Sequence, residues 1–135
     1  KLGDLFYLLD VVRAKLEYPE LKKEIIKQMK YWTPDHILIE DKASGQSLLQ
    51  DLHQDYPYQS FVAIRPNKDK MTRFARVTPL FEKRKILIAK DAHWRMEYEQ
   101  ELLTFPAVKT DDQVDSTSQY LNYIISNYRY NPRIR

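Results

Sequence analysis

The sequence predicts an α/β domain in which a sheet lies between layers of helices. Short runs of β-branched, aromatic and aliphatic residues stand at 5–12, 36–40, 61–64 and 85–89, bounded by turn-forming residues. Between and after them lie longer segments whose apolar residues recur at helical spacing. The two kinds of segment alternate along most of the chain, the pattern that lays helices over a sheet.

Leu5-Phe6-Tyr7-Leu8-Leu9-Asp10-Val11-Val12 reads as the first strand. Pro19 suits the first turn of a helix, where its missing N–H is no loss. Leu21, Ile25, Met29 and Trp32 follow at spacings of four, four and three, which sets them on one helical face until Thr33-Pro34-Asp35 breaks it. His36-Ile37-Leu38-Ile39-Glu40 has the pattern of a buried central strand delivering a carboxylate at its C-terminal end. Residues 41–45 make a loop; Leu48, Leu49 and Leu52 then mark a helix to about Asp55, and Pro57 ends the segment. Phe61-Val62-Ala63-Ile64 is the next strand. Asp69 suits the N-cap of a basic helix that runs towards Val77 and is stopped by Pro79. Lys85-Ile86-Leu87-Ile88-Ala89 is a further strand. The segment 94–105 is helical, with Trp94, Tyr98, Leu102 and Phe105 on one stripe. After Pro106, Asp111 or Asp112 opens a last helix, with Val114, Leu121, Ile124 and Ile125 as candidates for burial.

Composition narrows the function. The 135 residues, 43% of them hydrophobic, suit one domain, 1–135, able to bury its own core. No cysteine is present, which excludes disulfides, a thiol nucleophile and a cysteine zinc site. With two glycines and neither a P-loop nor a GxGxxG fingerprint, nothing supports a nucleotide-driven motor or a dinucleotide site. No apolar run is long enough to cross a bilayer and the start does not read as a signal peptide, so an intracellular protein without a membrane partner is expected. His36, His53 and His93 lack metal-ligand spacing, and Ser44 and Ser47 lack a histidine partner. The net charge is only +3, but it is unevenly spread. Acidic residues gather near 40 and at 111–115, while Arg65, Lys68, Lys70, Arg73 and Arg76 form a basic stretch. A site that cuts a polyanion needs both, cations for phosphate and carboxylates for metal.

Carboxylates from separated segments are what a two-metal phosphodiesterase requires. Mg²⁺ and Mn²⁺ prefer oxygen ligands, and two such ions about 4 Å apart activate the attacking water and stabilise the leaving oxygen. Glu40 is one arm. The other is Asp111-Asp112-Gln113-Val114-Asp115, where a helix would set Asp112 and Asp115 on one face. The same acids also suit capping and the helix dipole, and such a pentad occurs on ordinary solvated helices and in metal-diphosphate enzymes. The basic stretch suits a solvated face as well as DNA. The ten tyrosines suit base stacking or half-buried packing.

Several motifs in order carry a resemblance. Tyr7-Leu8-Leu9-Asp10-Val11-Val12-Arg13 is followed by Leu38-Ile39-Glu40-Asp41-Lys42-Ala43-Ser44-Gly45-Gln46-Ser47-Leu48, then by Ala63-Ile64-Arg65-Pro66 and Asp69-Lys70-Met71-Thr72-Arg73. Arg76-Val77-Thr78-Pro79-Leu80-Phe81-Glu82, Glu101-Leu102-Leu103-Thr104-Phe105-Pro106 and Asp111-Asp112-Gln113-Val114-Asp115-Ser116 complete the order. Over nearly its whole length the chain resembles the C-terminal nuclease domain of phage terminase large subunits. The resemblance implies a ribonuclease H-like mixed sheet flanked by helices and a metal-dependent endonuclease acting on double-stranded DNA, with two Mg²⁺ or Mn²⁺ ions. It implies in-line attack by water without a covalent enzyme intermediate, cutting concatemeric phage genomes in the cytoplasm of the bacterial host. The implied partners are the ATPase domain of the same terminase, a small terminase subunit and the capsid portal. By position, Glu40 matches the acid ending the central strand and Asp112 the C-terminal metal ligand, with Asp111 and Asp115 as close alternatives or helpers. Lys70, Arg73 and Arg76 fall on the DNA-facing side and Lys42 approaches the scissile phosphate, while Arg65 and Lys68 are DNA-binding candidates as members of the same basic stretch.

Two departures from the family accompany this. No ATPase domain is present, and the chain reads as starting at the family's third strand, so that the leading catalytic aspartate is unmatched by Asp4 or Asp10. In the sheet order 3-2-1-4-5, two strands would then be missing between the 5–12 and 37–39 strands. The expectation is that the edge strand swings across to pair directly, that another copy supplies a strand and forms a homodimer, or that the chain is a fragment. The rival functions are a non-catalytic remnant that binds DNA or a packaging partner, and another ribonuclease H-like enzyme such as a resolvase or transposase.

Overall fold

A computed structural model describes residues 1–42 and 44–128; Ala43, in the loop expected at 41–45, lies outside the described residues. Along the chain run β1 (Phe6–Leu8), α1 (Tyr18–Trp32), β2 (His36–Glu40), α2 (Ser44–Asp55), β3 (Ser60–Ile64), α3 (Lys70–Glu82), β4 (Ile86–Ile88), α4 (Arg95–Thr104) and α5 (Asp112–Asn127). They fall into two compact units, Lys1–Val12 with the chain from Lys68 onward, and Arg13–Asn67. Among the described residues no helix is long and apolar enough to cross a membrane.

In the Arg13–Asn67 unit, β2 and β3 pair in parallel, with His36 opposite Ser60 and Glu40 opposite Ile64. A parallel pair needs a crossover, and α2 supplies it. Strand alternation turns Ile37, Ile39 and Phe61 to a common core with Leu48, Leu49 and Leu52 of α2. Leu21, Ile25 and Met29 of α1 pack into the same core, as their spacing predicts. The Tyr18 hydroxyl donates to Asp51 (2.6 Å), and the Lys22 ammonium lies 2.8 Å from Asp55, which ties the two helices at their polar edge. Pro19 does sit in the first turn of α1, and Thr33 ends the helix in a left-handed conformation (φ 44°) while donating its N–H to Met29. Trp32 leaves the buried stripe: its indole N–H reaches Gln28 (3.0 Å) and its ring meets Tyr31 edge-on, so 40% of it stays exposed.

β2 is not the buried central strand expected. Among the described residues it has one strand neighbour, and none of its own residues is fully buried, because a two-stranded ladder surrounds no strand on both sides. The single mixed sheet is also replaced: β1 pairs in parallel with β4, Phe6 opposite Ile86, and not with β2. This pairing sends Phe6 and Ile86 into a core with Val77, Leu121 and Ile124, a burial worth roughly 1.5–3 kcal/mol per large side chain. It also explains why the strand expected at 5–12 shrinks to three residues, since the ladder is only as long as β4.

Asp69 caps α3, accepting from the Thr72 N–H (2.9 Å) and hydroxyl (2.7 Å). The helix then runs through Pro79, where a stop was expected, to Glu82. A proline inside a helix costs about 3 kcal/mol, and here Leu80 and Phe81 beyond it pack with Phe74 on the buried core. Burial of those side chains offsets the lost backbone bond. Trp94 at the N-cap of α4 and Tyr98 within it are buried, and the Tyr98 hydroxyl meets Thr117 Oγ1 of α5 at 2.8 Å. α5 buries Val114, Leu121 and Ile124, with Ile125 packed partly against the same core.

Candidate functional site

Glu40 ends β2, as the strand pattern predicts, and its carboxylate is ion-paired with Lys42. Asp41, which the sequence did not single out, has a side chain only 5% exposed and paired with the Arg65 guanidinium. That guanidinium, helped by Gln46, holds the Asp41 carboxyl below the ordinary carboxylate range. The turn that follows depends on Gly45, whose N–H bonds the Lys42 carbonyl at 2.6 Å. A Cβ at position 45 would lie well under 3.0 Å from the Glu40 carbonyl oxygen, so α2 can start this close to the strand end only without a side chain there. Lys42 and Arg65 are thus exposed cations whose charge is shared with the two neighbouring acids.

The second acidic segment belongs to the other unit, where α3 and α5 carry the facing groups. Lys70 Nζ lies 2.6 Å from Asp111 and 3.8 Å from Asp115, and Arg73 is ion-paired with Asp115. The Arg73 and Asp115 side chains are each only 11% exposed. Asp111, and after it Asp115 and Asp112, raises the pKa of Lys70 above the ordinary lysine range. Asp112 is exposed in the first turn of α5, whereas Asp115 is buried, so the pair expected on one face is divided by burial. Lys68 is exposed, and Arg76, also exposed, lies 3.5 Å from the Ser126 hydroxyl. The structure therefore brings Lys70, Arg73, Asp111 and Asp115 together, and separately joins Glu40 to Lys42.

A second residue, besides Asp41, was missed as a site component. Glu101 of α4 is 6% exposed, and its carboxylate accepts from the N–H groups of Gln113 (2.7 Å) and Val114 (2.9 Å) and from the Gln113 side-chain amide (2.7 Å). Those N–H groups belong to the second and third residues of α5 and are the ones an N-cap side chain normally satisfies. Asp111 stands at the cap position and makes no side-chain cap bond. The clue in the sequence was an acid on an apolar stripe, since Trp94, Tyr98, Glu101 and Phe105 recur at helical spacing.

A family model described as terminase RNaseH-like domain matches residues 1–123. The chain belongs to this family. Comparison with curated proteins and with solved structures gave no match. Terminase domains of the ribonuclease H-like kind use divalent metal ions, and the donors of this terminase domain suit them: carboxylate oxygens at Glu40, Asp111 and Asp112 are ligands that Mg²⁺ and Mn²⁺ prefer. Among the described residues no three or more histidine, aspartate or glutamate side chains are gathered as a metal-holding group. Lys42 is paired instead with Glu40, Lys70 with Asp111 and Arg73 with Asp115.

Proposed function

We propose that this terminase domain is the metal-dependent nuclease module of a phage genome-packaging machine, hydrolysing phosphodiester bonds of concatemeric double-stranded DNA. The observation that carries the reading is the idle cap at Asp111. Acids at a helix start ordinarily serve the helix, but here Glu101 does that work and Asp111 is directed to a cation. Glu40 and Asp112 are the metal ligands in this reading, with Asp111 and Asp115 assisting. Mg²⁺ or Mn²⁺ held by these acids would supply water activation and charge stabilisation at the phosphate. Lys42 and Lys70, which now neutralise Glu40 and Asp111, turn to phosphate oxygens when another cation takes their place. Arg73 stays with Asp115 and holds α3 to α5. Arg65, Lys68 and Arg76, all exposed, bind the DNA backbone in a salt-dependent way. The ATPase domain, small subunit and portal are the partners this role entails.

A second reading, a module that binds DNA without cutting it, is favoured by one observation: Glu40, Asp111 and Asp115 are all neutralised by the chain's own cations. Plasmid nicking and linearisation with Mn²⁺, Mg²⁺ or EDTA separates the two. Cutting that needs metal and is abolished by both Glu40→Ala and Asp112→Ala supports the nuclease. Salt-dependent DNA binding with no cutting by the folded chain selects the second reading.

A further inference from the structure

We propose that Glu101 is a positioning residue for the acids at the start of α5, an inference that rests on the nuclease reading above. A carboxylate that is 6% exposed is costly unless its lone pairs are satisfied. Here they are met by two backbone N–H groups at a helix N-terminus, where partial positive charge favours an anion, and by the Gln113 amide. Asp111 stands at the cap position and could perform the same service at the surface, without a buried charge. Taking the cap from α4 has two effects that a local cap would not. The Asp111 carboxylate is released to reach Lys70 at 2.6 Å. The first turn of α5 is also clasped to α4 through both oxygens of one rigidly held group, which fixes where the backbone presents Asp111, Asp112 and Asp115. Sites of this kind work only when their groups are held to within about 0.5 Å.

The test is Mn²⁺ titration of the whole chain, followed by calorimetry or by the paramagnetic resonance of free Mn²⁺, with thermal midpoints measured alongside. Glu101→Ala, which leaves the two N–H groups uncapped, is expected to weaken Mn²⁺ binding about tenfold or more. Glu101→Gln retains an oxygen for both N–H groups, and the Gln113 amide can turn over to accept from the new one, so this variant restores most of the affinity. Val77→Ala destabilises the same unit at a buried position away from the clasp and leaves the affinity at the wild-type value. Wild-type affinity in Glu101→Ala, or an equal loss in Val77→Ala, overturns the inference and leaves the nuclease reading standing. A wild-type chain that binds no Mn²⁺ sinks the nuclease reading and the inference together. If Glu101→Ala does not fold, Gln113→Met removes one of the three donors at similar volume. A smaller but measurable loss of affinity is then expected, and unchanged affinity overturns the proposal.

Discussion

A methyl group at position 45 would press into the carbonyl oxygen of Glu40, which is backbone and cannot rotate away. Gly45→Ala is therefore expected to cost about 1–3 kcal/mol, by the general penalty of overpacking, and to displace the strand end that carries the Glu40 carboxylate. Urea unfolding measures the first effect; a Gly45→Ala chain as stable as the wild type would show that α2 can start elsewhere. Glu40 was legible because a strand of five residues between turn signals has an evident last residue. The Asp111 segment was legible as a helix start. Asp41 and Glu101 were not, because each acquires its role from a partner far away in sequence: Arg65 for one, Gln113 and Val114 for the other. Local pattern reports which residue types are present, and only the fold reports which of them meet.

Among the elements, apolar residues at helical spacing located α1, α2 and α4, while cap and breaker residues located the starts of α3 and α5. What these signals could not supply was length where a partner decides it. β1 stops where β4 stops, and α3 passes Pro79 because Leu80 and Phe81 beyond it are packed in the core. The proline is exposed. Pro79→Ala restores an N–H to a helical position and removes the ring, at the cost of a freer unfolded chain. The balance is a gain of about 2 kcal/mol, given the helix propensities of the two residues. Thermal unfolding checks it, and a lower midpoint would mean that the proline ring is needed to seat Leu80 and Phe81.

For the whole molecule the ordered motifs were the most legible feature, and they lead to the family that matches residues 1–123. The sheet was the least legible, because strand pairing is chosen by burial of residues such as Phe6 and Ile86 rather than by any run of sequence. Stability should follow pH at both ends of the scale. The Asp4, Asp41 and Asp51 carboxyls lie below their ordinary range, held by Lys85, Arg65 and the Tyr18 hydroxyl respectively. Their contribution is present in full above the unfolded value of about pH 4 and drains away as pH falls through the lower folded values. In the other direction, Asp55 raises the pKa of Lys22, Asp111 that of Lys70, and burial that of Tyr98. What these three add is complete below about pH 10 and is lost as pH climbs through the raised folded values. Thermal midpoints across the pH scale should thus show a plateau between two falling limbs; a midpoint that keeps rising into acid would refute the assignment. The division of the chain has a last consequence, for its birth on the ribosome. Every partner within Arg13–Asn67 has been made once Asn67 is made, whereas Phe6 must wait for Ile86. At about 5–20 residues per second, the apolar run at 5–12 spends on the order of seconds without its strand partner. In that interval a nascent-chain chaperone has its clearest claim on the protein.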